Sequence, residues 1–183
     1  LASLLVGTRS LVPLIWNDST SYLNSAVQSV AHNAYVVTNG VNVGYVAVLA
    51  AVLGTGAGLG VVVLLQQLAW AASVSLCGYT LLKITHARGV WLAWFAVPLL
   101  LMATYPGIQI YNNIIMTEAL YTASLTSALC FALLAWSSKT TPMALLHLVA
   151  AVAAACFAAL TKAQGLAAFG VIATATLCIA ARL

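Results

Sequence analysis

The chain has 183 residues, 64% of them hydrophobic and 4% charged, with a formal net charge of +4. A soluble domain carries about 25% charged residues, so six Lys/Arg and two Asp/Glu exclude a water-soluble globule. The basic residues Arg9, Lys83, Arg88, Lys139, Lys162 and Arg182 stand singly, which excludes a nucleic-acid patch and makes them topology markers.

The apolar runs are continuous and rich in Ala and Leu, whereas a membrane barrel needs alternating strands of about ten residues. The composition therefore predicts an all-α polytopic transmembrane helix bundle, a single transmembrane domain over 1–183. Leu1 to Trp16, apolar around Arg9, reads as the last part of a transmembrane helix. The chain opens on Leu and is expected to be a portion of something longer.

Asn17 to Asn42 is the longest polar stretch. Tyr22, Leu23, Ala26, Val27, Val30 and Ala31 recur there at helical spacing, with Asn24, Ser25, Gln28 and Ser29 on the other face. This predicts a short amphipathic helix lying in the membrane interface in the first outer loop, with Asp18, Ser19 and Thr20 as suitable caps. TNGVN, 38–42, is a turn.

Tyr45 to Leu53 is apolar but too short to span. Gly54, Gly56, Gly58 and Gly60 follow without phosphate-loop spacing. They read either as two interleaved small-residue packing pairs or as a break. Spans are predicted over Gly58 to Leu82, Gly89 to Tyr105, Ile114 to Trp136, Met143 to Leu160 and Leu166 to Ala181. SSKTTP is a loop with Pro142 at a helix start, and TKAQG links the last two spans.

The Lys83–Arg88 loop is the most basic, which places it in the cytoplasm. Alternation then puts the 17–42 loop and 106–113 outside, Lys139 and Arg182 inside, and Lys162 outside, where it alone breaks the charge rule. The only two acids, Asp18 and Glu118, fall on the outer face with Lys162.

Asp18 is either a helix cap or a general base able to take a proton from an acceptor hydroxyl. Glu118 suits the dipole at a helix start, yet an acid near hydrocarbon is by default a functional candidate. Asn112, Asn113, Thr117 and Tyr121 stand close to it in sequence. Lys162 either reaches to headgroups or meets the phosphate of an anionic lipid. Arg9 binds phosphate or pairs with Asp18. The histidines are isolated, the four cysteines lie in apolar runs, and neither has metal-ligand spacing.

Three segments in order resemble a known enzyme group. Arg9 followed by Asp18, Tyr22 and an amphipathic helix resembles the first outer loop of the GT-C glycosyltransferases. IYNNIIMTEALYTASL resembles the group's Tyr-Asn…Thr-Glu-x-Leu/Phe-Tyr segment. AALTKAQGL, Ala158 to Leu166, resembles its Leu-Thr-Lys helix end. The likeness is to the branch of protein mannosyltransferases and the lipid A aminoarabinose transferase, and it covers most of the chain as the N-terminal membrane portion of a longer enzyme.

The resemblance implies an inverting transfer, commonly without metal or other cofactor, from a polyprenyl-phosphate-sugar lipid donor at the outer or lumenal face. The membrane is the plasma membrane, or the endoplasmic reticulum in a eukaryote. Asp18 becomes the catalytic base and Glu118 the assisting carboxylate. Lys162 becomes the donor-phosphate contact, with Arg9, Tyr22, Asn113 and Tyr121 beside the substrate. Many members carry Asp-Glu in the first loop; here Ser19 follows Asp18. The rival class is a non-enzymatic transporter or assembly subunit, to which Gln66 and Gln67 inside a span point.

Overall fold

The computed structural model describes residues 13–36, 42–85, 96–97, 99–100 and 112–180, without the side chains of 168, 171, 176 and 178–180. Residues 1–12 of the first-helix stub, with Arg9, positions 38–41 of the predicted turn, most of the predicted 89–105 span and Arg182 lie outside the described residues; the end of the stub, 13–16, is not the helix expected but extended backbone around the Leu14 bridge. Six helices make up the described fold: α1 Asn17–Ala31, α2 Val43–Gly54, α3 Leu59–Thr85, α4 Thr117–Ser137, α5 Thr141–Thr161 and α6 Gly165–Ala180.

The protein is thus an all-α bundle. Three helices, α3, α4 and α5, are long and apolar enough to cross a membrane, which makes the chain a multi-pass membrane protein. At 16 residues, α6 is shorter, about 24 Å at 1.5 Å per residue.

The bundle is packed through small side chains. Ala144, Leu148, Ala151, Ala155 and Ala158 form the buried stripe of α5, while Leu145, Leu146 and Val149 of the same helix are exposed. Ala128 and Ala132 of α4 meet Ala151 and Ala155 of α5 and Ile172 of α6 in one cluster. Burying alanine and exposing leucine is unfavourable in water. In lipid the tails solvate leucine, and alanine lets the backbones approach closely.

At the other end of α4 a larger cluster joins Ala26 of α1, Tyr45, Val46, Leu49 and Val52 of α2, Val62 and Val63 of α3, and Ile115 and Leu120 beside and within α4. Here α1 and α2 run parallel: Tyr22 packs edge-on to Tyr45 with ring centroids 5.3 Å apart, and Val30 reaches Gly54.

α1 forms as expected, but its buried face differs from the one its apolar residues mark. Ser19, Ser25, Ala26 and Ser29 are buried, while Val27 and Val30 are exposed. The serines tolerate burial because their hydroxyls are bonded locally. The Ser29 hydroxyl donates to the Ser25 carbonyl (2.8 Å) and accepts from the Val36 N–H (2.9 Å). Nor is Asp18 the cap. Trp16 holds that position, its N–H donating to Ser19 Oγ and its carbonyl accepting from Ser19 N–H, both at 2.9 Å.

The glycine run is a break. Gly56 closes α2 at φ +77°, with its N–H donating to the Leu53 carbonyl, a left-handed stop that favours glycine. A Cβ on Gly56 or Gly58 would meet nothing within 4 Å, so neither serves a helix contact. The close approaches lie elsewhere. A Cβ on Gly44 would come within 2.8 Å of Leu160 Cβ, and one on Gly165 within 2.4 Å of the Ala158 carbonyl oxygen.

Candidate functional site: an ion pair braced by a buried glutamine

The segment before α1 and the segment before α4 pair as extended backbone. Leu14 N–H donates to the Asn113 carbonyl (2.9 Å) and Ile115 N–H to the Leu14 carbonyl (3.0 Å), a parallel bridge of Leu14 with Ile114. Asp18 lies four residues beyond one partner and Glu118 four beyond the other, so the bridge holds both acids at one end of the bundle.

Isolated extended backbone buried in the bundle leaves carbonyls without helical partners, and Gln66 supplies them. Its side chain is fully buried. Nε2 donates to the carbonyls of Asn112 and Ile114, each at 2.9 Å, and Oε1 accepts from Tyr45 Oη at 2.9 Å. Gln67 Nε2 donates to Asn113 Oδ1 at 2.8 Å. Burial, and after it the Glu118 charge, pushes the Tyr45 phenol above its ordinary range. Tyr45 lies in α2, outside the three spans, and stays a neutral donor.

On this frame Glu118, in the first turn of α4, meets Lys162, the residue that ends α5. Lys162 Nζ donates to Glu118 Oε1 at 2.9 Å across 44 residues of sequence. The Lys162 side chain is 25% exposed and that of Glu118 31%. Thr117 Oγ1 donates a long bond, 3.4 Å, to Glu118 Oε2, and Lys162 Nζ lies 5.8 Å from the centre of the Tyr121 ring. Lys162 is placed by the turn that follows α5: its N–H donates to the Ala158 carbonyl and its own carbonyl accepts from Gly165 N–H. At Gly165 the next helix begins with no room for a Cβ.

The candidate residues therefore divide. Glu118, Lys162 and Tyr121 are brought together. Asp18 is exposed at the same end of the bundle, and among the described residues its carboxylate bonds to neither Glu118 nor Lys162. Tyr22 and Asn113 belong to the brace: Tyr22 packs on Tyr45 and accepts from Asn42 Nδ2 at 3.4 Å, and Asn113 accepts from Gln67. Arg9 lies outside the described residues. Among these no group of three His, Cys, Asp or Glu could hold a metal.

The two glutamines, read from sequence as a hint of transport, turn out to carry the backbone bridge. Their signal was their presence in an otherwise apolar span. Leu14 and Ile114 gave none, because a backbone pairing leaves no mark on side-chain identity. Comparison with protein-family models, curated proteins and solved structures gave no significant match.

Proposed function

We propose that this chain is the membrane-embedded part of a glycosyltransferase that moves a sugar from a polyprenyl-phosphate donor to an acceptor at the end of the bundle holding Asp18, Glu118 and Lys162. The observation that carries the reading is the Glu118–Lys162 pair, assembled from two membrane helices at the end that also bears the only other acid. A lysine held in part by a carboxylate and one-quarter exposed can exchange that partner for a lipid phosphate, to which its charge is equally suited. Asp18, exposed and beside no cation among the described residues, is free to accept a proton.

In the proposed step the acceptor hydroxyl oxygen attacks the anomeric carbon and its proton passes to Asp18. The bond from that carbon to the phosphate oxygen breaks, and polyprenyl phosphate leaves with its charge met by Lys162. Glu118 orients the acceptor and holds Lys162 until donor arrives. The end of the bundle carrying these groups faces outward or into the lumen.

The test uses the full-length protein in membranes with a photoactivatable polyprenyl-phosphate-sugar analogue. Labelling is expected to compete with natural donor and to be lost in Lys162→Ala. Asp18→Asn is expected to keep labelling and membrane insertion but to lose transfer by about 100-fold or more. Transfer retained in Asp18→Asn removes that residue from the mechanism.

One observation favours a transporter instead. Gln67 Oε1, Trp70 Nε1 and Asn112 Nδ2 are buried without hydrogen-bond partners among the described residues, as polar groups along a substrate path would be. Absence of specific labelling in a well-inserted protein would select that reading.

A further inference from the structure

The opposite end of the bundle carries cations with no acid to meet them. Lys83 lies in the last turn of α3 and Lys139 between α4 and α5. Both line a cleft of about 350 Å³ with Ile84, Thr140 and Met143. The chain has only two acidic side chains. Glu118 is in the first turn of α4, and Asp18 follows the extended segment that is bridged to Ile114. The 21 residues of α4 separate both from the cleft by about 30 Å, beyond the reach of an ion pair.

The cleft's cationic donors have no hydrogen-bond acceptor among the described residues. Ser137 and Ser138 lie in its wall, but their hydroxyls already donate to the Leu134 carbonyl. The groups left to donate are the two ammonium ions and the first turn of α5, whose N-cap Thr140 makes no side-chain cap. A helix start of that kind favours an anion. Lys83 is steered by the Tyr79 ring, 5.6 Å from Nζ.

The remaining wall is apolar. Ile84 and Met143 are 38% and 47% exposed, and the surface continues onto exposed Leu145 and Leu146. A free anion has no use for such a wall, whereas a lipid has chains to lay along it.

We propose that this cleft seats the phosphate of an anionic phospholipid, with Lys83, Lys139 and the start of α5 around the headgroup and the acyl chains against Ile84 and Met143. The inference does not depend on the transferase reading. Lys162, at the other end, already has Glu118 as its counterion.

The full chain, delipidated in detergent, would be titrated with phosphatidylglycerol, with phosphatidylcholine of the same acyl chains and with inorganic phosphate, and binding read by native mass spectrometry. Phosphatidylglycerol is expected to bind in clear preference to phosphatidylcholine. Lys83→Gln with Lys139→Gln should weaken it roughly 30-fold, at about 1 kcal/mol per lysine, and leave phosphatidylcholine unchanged. Lys83→Arg with Lys139→Arg should retain binding, which separates lost charge from lost fold.

Equal binding of the two lipids in the wild-type chain overturns the proposal, as does full retention in the double glutamine variant. Displacement of phosphatidylglycerol by an equal concentration of inorganic phosphate would assign the cleft to the free anion and overturn its assignment to lipid.

Discussion

The two ends of the bundle use polar groups in opposite ways. At the Glu118 end they face each other: Gln66 joins α2, α3 and the extended segment before α4, and Glu118 neutralises Lys162. At the Lys83 end the Ser137 and Ser138 hydroxyls bond to their own helix and the cations have no acidic side chain to meet. Ser138 donates to the Leu134 carbonyl one turn back, with Oγ 3.0 Å from His147 Nδ1. Polar groups that pair with one another fix geometry. Polar groups that do not are left for a ligand.

The largest expected effect therefore lies at the first end. Gln66→Leu keeps the volume but leaves the Asn112 carbonyl and the Tyr45 hydroxyl without partners and takes from the Ile114 carbonyl one of its two donors, the other being Met116 N–H. Each buried group so orphaned costs about 1–3 kcal/mol, so denaturation in detergent should show a loss on the order of 3–5 kcal/mol. A loss below about 1 kcal/mol would mean that the bridge does not hold this end together.

A smaller loss is expected where helices cross closely. Gly44→Ala and Gly165→Ala each drive a Cβ into neighbouring backbone and should lower stability by about 1–3 kcal/mol. Gly58→Ala, with open space around it, should be neutral. Equal thermal midpoints for all three variants would contradict the packing of α2 against the end of α5.

At the Lys83 end Ser138→Ala should cost only about 0.5–1.5 kcal/mol, read in the same unfolding assay. A loss as large as that of Gln66→Leu would erase the difference between the ends.

Much of the fold was legible in the sequence because hydrophobic length is a local property. The spans α3, α4 and α5, the short α2 and the proline-started α5 all fall within a few residues of where composition puts them. The sorting of Glu118 and Lys162 to one end, and of Lys83 and Lys139 to the other, follows from counting crossings. The faces of α1 did not follow, because an apolar residue in a membrane protein can face lipid as readily as core. Valine lost its meaning as a marker of the inside, and serine, bonded to its own helix, became buried.

What the sequence determined by itself is that this chain lives in a membrane as helices. Apolar length leaves no other solvent for it, and unpaired backbone in hydrocarbon leaves no other spanning form. What only the tertiary structure decided is which polar groups meet. Gln66 bonds to residues 46 and 48 positions away, and Lys162 to one 44 positions away. Such pairings depend on helix packing and on a backbone bridge between Leu14 and Ile114, a contact made by atoms that every residue shares.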